Sequence, residues 1–168
     1  VSISWVTRPE ERRDLPAIRE VLLAAFPTAL EADLVDALRK DPSWLPGLSI
    51  VAEHDGRVAG HALLTRCHVA GAPALALAPC AVSPAFQRQG AGSAAITAGL
   101  AAARDAGESL VLVLGHPAYY PRFGFVRASA YGIRAPFDVP DEAMMALVLD
   151  DRRPVPTGTI AYPPPFAL

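Results

Sequence analysis

The stretch that most constrains the fold is ALALAPCAVSPAFQRQGAGSAAITAGLAAARDA, residues 74–106. An apolar run from Ala74 to Val82 meets a polar elbow, Gln87-Arg88-Gln89-Gly90-Ala91-Gly92, and a small-residue segment follows from Gly92 to Ala106. A strand, a glycine turn and a helix able to pack close to a sheet satisfy that order. The β-branched and leucine run from Ser109 to Leu114 then completes a strand–helix–strand unit, which favours a right-handed crossover between parallel neighbours. Pro79 lies inside the first strand. Proline donates no hydrogen bond to a ladder, so a bulge or a loss of pairing on one side is expected there.

The elbow has its own physics. A helix N-terminus leaves about four backbone N–H groups unpaired. Its dipole adds roughly half a positive charge. With side chains out of the way, such a terminus binds phosphate. Gly90 and Gly92 remove Cβ atoms where a ligand approaches and permit positive φ. Arg88 adds a mobile charge, Gln87 and Gln89 add donors, and Ser93 offers a hydroxyl in the first turn. The spacing fits neither the P-loop nor the dinucleotide-binding fingerprint. Two readings stand on these residues alone: a phosphate cradle, or a tight loop whose glycines serve packing.

Elsewhere, Ser2 to Thr7 alternates as a strand does. Asp14 reads as an N-cap before Leu15-Pro16, and Leu15, Ile18, Val21, Leu22 and Ala25 carry a helix to about Phe26. Leu30, Leu34, Val35 and Leu38 mark a second short helix. Leu48–Glu53 and Val58–Val69 are strands around the hairpin signal Asp55-Gly56. His116-Pro117 opens a short helical turn through Tyr119-Tyr120. Strands are expected again at Phe123–Val126, Met144–Leu149 and, at an edge, Thr159–Tyr162. The order predicts an α/β (α+β) chain with a mixed central sheet flanked by helices. One domain over residues 1–168 is expected, with a proline-rich extension over 150–168.

With 52 % apolar residues and a net charge of -2, the 168-residue chain is expected to be compact and carries no nucleic-acid footprint. No apolar run reaches the roughly 18 residues of a membrane helix, and VSISWVTRPEERR lacks the order of a secretory signal, so a cytoplasmic protein with no membrane partner is expected. Cys67 and Cys80 are then expected as reduced thiols. No CxxC or HxxxH spacing suggests a metal.

Gln87-Arg88-Gln89-Gly90-Ala91-Gly92 resembles the Q/R-x-x-G-x-G/A signature of the GNAT N-acetyltransferase superfamily. Ala81-Val82-Ser83-Pro84 is similar to that family's strand end, and Tyr120-Pro121-Arg122-Phe123-Gly124-Phe125 resembles its Y-x-x-x-G-F segment. Pro140-Asp141-Glu142 and Tyr162-Pro163-Pro164 are similar to a subgroup of small bacterial members. The resemblance implies a GNAT fold with a splayed strand pair and acetyl-CoA as cosubstrate. The coenzyme pyrophosphate would rest on Gln87, Arg88, Gln89, Gly90, Ala91, Gly92 and Ser93, and the pantetheine arm would lie along Ala81 and Val82. It implies acetyl transfer by direct attack of a primary amine, small-molecule or peptide. The Val82 N–H is the candidate oxyanion donor, and Tyr120 the general acid that protonates the leaving thiolate. Tyr119 is expected to point elsewhere.

Many members of the family place a Glu on the strand before the elbow, but Ala74–Val82 holds no carboxylate and no histidine. Glu31, opening the second helix, is the candidate base. His61 and His68 read as satisfied sheet histidines, His116 as an N-cap or a substrate contact, and His54 as solvated. A covalent route through Cys80 lacks an activating neighbour in sequence. The missing carboxylate keeps open an acyl-CoA-binding sensor that has lost transfer. A binding domain for another phosphate ligand is the second rival. The tail YPPPFAL would line the acceptor cleft or cover a homodimer seam.

Overall fold

The computed structural model describes residues 3–167. Strand β1 (Val6–Pro9) leads to helices α1 (Leu15–Ala25) and α2 (Leu30–Arg39), then to strands β2 (Ser49–His54), β3 (Arg57–Val69) and β4 (Ala72–Val82). Helix α3 (Ala91–Asp105) precedes β5 (Leu110–Leu114), and β6 (Val126–Arg127), β7 (Ile133–Arg134), β8 (Met144–Val148) and β9 (Gly158–Ala161) follow. The sheet order is β1-β2-β3-β4-β5-β8-β6, with β9 pairing both β3 and β7. The pairing of β4 with β5 is parallel, as the strand–helix–strand pattern requires, and its neighbours in that order pair antiparallel. The result is the mixed sheet that the element order predicts.

Asp55 and Gly56 have φ of 50° and 75°, the two positive values that a two-residue hairpin turn requires. That turn locks β2 to β3. In β4, Ala62 faces Cys80 while Leu64 faces Leu77, so two steps along β3 match three along β4. One extra residue is therefore inserted beside Pro79, which is the expected bulge. On its other side β4 meets β5 only at Leu75↔Val111 and Ala76↔Leu112. From Leu77 onward it has no β5 partner.

Alternation along the strands divides the core in two. Ile50, Ala62, Leu64, Leu75, Leu77, Val111 and Val113 point to the α3 side, where Ala95, Ile96 and Leu100 meet them. Val51, Leu63 and Ala81 point to the opposite face beneath α1 and α2. Small residues let α3 approach closely: a Cβ on Gly60 would sit 3.3 Å from Ala91. Gly107, at φ +82°, ends the helix, with its N–H on the Arg104 carbonyl and that of Glu108 on Ala103.

Four local expectations are corrected. The first strand is Val6–Pro9 rather than Ser2–Thr7, and Ser2 lies outside the described residues. Its position is held by Arg8, whose guanidinium grips Asp14 and Glu53. Asp14 precedes α1 but its side chain does not cap that helix; it accepts from Arg8 and from the Glu11 N–H instead. The turn around Tyr120 is a 3-10 segment, Tyr120–Phe123, because Pro121 has no N–H to continue a helix. The strand expected at Phe123–Val126 is Val126–Arg127, because Phe123 closes the 3-10 segment and Gly124 turns the chain at φ 101°; residues 127–143, for which the pattern predicts no element, form β7 and short 3-10 turns.

The Arg8 guanidinium and the Glu11 N–H hold the Asp14 carboxyl below its ordinary pKa. A depressed carboxylate stabilises the fold above its unfolded pKa, and that contribution is lost as pH falls through the folded value. Urea unfolding should therefore find Asp14→Ala less stable than the parent by about 1.5–3 kcal/mol at pH 7. The gap should close only below about pH 4.

Candidate active site

Helix α3 begins at Gly90, which stands at φ +89° as its N-cap, and no side chain caps the helix. Arg88 also lies in the left-handed region, at φ 62°. The elbow is pinned from outside by Trp5, whose indole N–H donates to the Gln89 carbonyl at 2.7 Å and whose ring meets Phe86 edge-on. Nothing in the sequence pattern pointed to Trp5. Gly92 turns out to serve space rather than φ: a Cβ there would lie 3.1 Å from the Val82 side chain and 3.6 Å from the Tyr119 hydroxyl.

The elbow forms one wall of a groove of about 510 Å³ lined by Val82, Gln87, Arg88, Gly90, Ala91, Gly92, Ser93, Tyr119 and Arg122. Gln89 turns away from it, its amide directed at the Ala85 carbonyl. Ser93 gives its hydroxyl to a hydrogen bond of 2.8 Å with Tyr119. Tyr119 was expected to point elsewhere; it is part of the groove wall. The Y-x-x-x-G-F pattern marks only Tyr120, so no motif could have found its neighbour. Among the described residues, neither Arg88 nor Arg122 makes an ion pair. The groove thus has two cations, a bare helix N-terminus and no carboxylate lining it.

The groove opens at Val82 onto the unpaired edge of β4. Ser83 donates its N–H to Ala59 of β3 at 2.7 Å. The alternation of an antiparallel ladder then directs the N–H and carbonyl of Val82 away from β3, toward the side where β5 has left. The neighbouring Ala81 turns its side chain to the α1–α2 face, while Val82 packs on the α3 side.

Tyr120 sits against the end of β5. Its ring lies so close to Gly115 that a Cβ there would stand 2.3 Å from Cε2. Phe125 and Tyr119 meet the ring edge-on at 5.9 and 5.1 Å. Its hydroxyl neighbours Cys80 of β4, so the side chain reaches between the parted strands. Burial, and then Cys80, raise its pKa well above the phenol range. Burial likewise pushes the Cys80 thiol up to about 12, against the pull of Tyr120. Among the described residues Cys80 has no basic partner, and its raised pKa disfavours the covalent route.

The other candidates fall elsewhere. His61 is fully buried with Nε2 2.8 Å from the Ser49 hydroxyl, and burial, with the Arg39 charge, drives its pKa down to about 3. His68 lies at the far end of β3, opposite Ala161. His116 caps nothing with its side chain; its carbonyl accepts the Tyr119 and Tyr120 N–H groups. His54 sits beside Asp55 at the hairpin. Glu31 opens α2 on the face away from α3, outside the groove, with Oε1 buried and unpartnered among the described residues. Among those residues no three His, Cys, Asp or Glu side chains gather as a metal set, and no helix is long and apolar enough to cross a membrane.

Residues 15–125 match the family model of the acetyltransferase (GNAT) family. The chain is 42 % identical over 137 residues to the uncharacterized N-acetyltransferase YjhQ of Escherichia coli, covering 79 % of this chain and 76 % of that one. It is 31 % identical over 152 residues to YhbS of the same organism, 89 % of this chain and 90 % of the relative. The crystal structure of YhbS in complex with CoA superposes with a TM-score of 0.91 at 29 % identity, covering 100 % of this chain and 94 % of that one. A GNAT family acetyltransferase from Brucella melitensis in complex with acetyl-CoA gives 0.80 at 32 % identity over 97 % and 98 % of the two chains. The fold is that of an acyl-group transferase. The chain belongs to the GNAT acetyltransferase family.

Because the Tyr120 ring occupies the space of a Gly115 side chain, Gly115→Ala must displace it. The variant should melt cooperatively, with stability lowered by about 1–3 kcal/mol. Its near-UV circular dichroism should differ from that of the parent, because the Tyr119–Tyr120–Phe125 contacts are broken.

Proposed function

We propose that this acetyl-CoA-dependent acyltransferase delivers the acetyl group to a primary amine, small-molecule or peptide, by direct attack. The observation that carries the proposal is that Val82, on the β4 edge that β5 has left, lines the α3 groove, while the Tyr120 hydroxyl lies against Cys80 two residues earlier on the same strand. One elongated thioester with an anionic end fits that sequence of surfaces. The phosphates lie against the N–H groups of Gly90 to Ser93, helped by Gln87 and Arg88. Gly92 keeps that surface free of a Cβ. The arm runs past Ala81 and pairs with the outward N–H and carbonyl of Val82 as an added strand would, and the thioester enters between β4 and β5. Support for the coenzyme comes also from the CoA and acetyl-CoA complexes of YhbS and the Brucella enzyme.

The amine attacks as the neutral base, from the α1–α2 face. The nitrogen–carbon bond forms as the carbonyl becomes an oxyanion, which the Val82 N–H receives. The carbon–sulfur bond then breaks and the sulfur leaves as a thiolate. A phenol of ordinary pKa about 10 is already a weaker acid than a thiol near 8.5. Burial widens that gap for Tyr120. Tyr120 therefore acts by donating a hydrogen bond to the sulfur, and the proton released by the nitrogen restores the thiol or passes to water. Glu31, at the start of α2, is the candidate base that takes the proton of the substrate ammonium before attack.

Thiol release from acetyl-CoA against a panel of primary amines tests the assignment. Tyr120→Phe should lower kcat roughly 10- to 100-fold, the worth of one charge-assisted hydrogen bond, with little change in KM. CoA binding with no thiol release for any amine would favour the sensor instead. The pH profile is a second test. His61 titrates near 3, Cys80 near 12 and Tyr120 above the ordinary phenol range, so none of them titrates between pH 5 and 9. Over that range kcat/KM should rise with pH as the acceptor amine loses its proton. A falling limb below pH 9 would contradict it.

A further inference from the structure

The second wall of the groove belongs to no glycine signature. Arg122 donates from Nε to the Tyr119 carbonyl at 2.9 Å, and its Cζ lies 4.2 Å from the centroid of the Tyr119 ring. With Nε engaged and the guanidinium laid on the ring, the two Nη groups keep four N–H donors free. Arg122 is exposed and has no carboxylate partner among the described residues. Tyr119 is fixed in turn by the Ser93 hydroxyl at 2.8 Å. That pair holds two hydroxyl protons and uses one between them, so one O–H is left over for an acceptor. Across the groove stands Arg88 on its left-handed backbone.

From this arrangement we infer that Arg122, held on the Tyr119 ring, is a substrate-binding residue that grips a phosphate of coenzyme A from the side opposite the α3 N-terminus, with Tyr119 as its positioning residue. The inference rests on the acyl-CoA reading of the groove. An arginine stacked on an aromatic face loses less freedom when it binds than a solvated one. Its planar fork suits phosphate oxygens. Tyr119 is also the direct neighbour of Tyr120, and their rings touch edge-on at 5.1 Å. Grip on the anionic end and placement of the hydroxyl at the thioester thus depend on one short segment.

Calorimetric titration of CoA into the full chain and three variants tests this. Arg122→Gln should weaken CoA binding about tenfold and flatten the dependence of affinity on salt. Tyr119→Leu, which removes the platform, should do the same. Tyr119→Phe keeps the platform but loses the bond to the Ser93 hydroxyl, and should weaken binding less than Tyr119→Leu does. With 3′-dephospho-CoA, an Arg122→Gln effect that disappears assigns the grip to the 3′-phosphate, and one that persists assigns it to the pyrophosphate. Loss of less than fivefold for Arg122→Gln overturns the inference; an unaffected Tyr119→Leu, or a Tyr119→Phe as weak as it, overturns the platform. A parent protein that does not bind CoA refutes the acyl-CoA reading itself, before any variant is compared.

Discussion

Strand β4 keeps its parallel partner for two residues, Leu75 and Ala76, and then parts from it. The rest of the site depends on that separation. The extra residue at the Pro79 bulge, set against Ala62 and Leu64 of β3, re-aims the strand while its other edge stays paired. The peptide groups released on the β5 side would be a liability in a finished sheet. Here they face a groove, and the space beyond them takes the Tyr120 ring. Gly115 ends β5 without a side chain, so the ring can lie there.

The groove and the gap differ in electrostatics, and the difference follows from burial. At the α3 end the surface is open, and Arg88 and Arg122 lie exposed. Between the strands the side chains are largely buried. Burial keeps Tyr120 and Cys80 protonated far above neutral pH, and it keeps His61 unprotonated far below it. The interior around the gap therefore carries no titrating group through the neutral range. In the proposed function, chemistry at the gap would rely on fixed donors, a backbone N–H and a phenol, with the base supplied from outside it.

The sheet order, the bulge and the elbow were legible because each rests on local chemistry: a proline without an N–H, an Asp-Gly turn with two positive φ values, alanines that permit close packing. The proposed cofactor side of the site comes from resemblance to a family motif. The partners of these residues were not. Trp5 reaches the elbow across 84 residues of sequence. Tyr119 meets Ser93 across 26, and the Asp14 carboxylate turns to Arg8 instead of capping α1. The region from residue 127 to 143 lacks periodicity because its short pieces are stabilised by the sheet they cover, not by their own pattern.

Sequence alone determined that a strand, a glycine elbow and a small-residue helix would stand in that order, with a phenol downstream at the spacing of a known family. It determined this because turns, bulges and helix ends are written in the conformational limits of single residues. Only the tertiary structure decided which of two adjacent tyrosines faces the groove and which enters the gap. It also made one glycine a matter of φ and the other a matter of space, and left Arg88 and Arg122 without a counter-ion among the described residues. Those outcomes depend on which distant side chains share a wall, and no local preference encodes that.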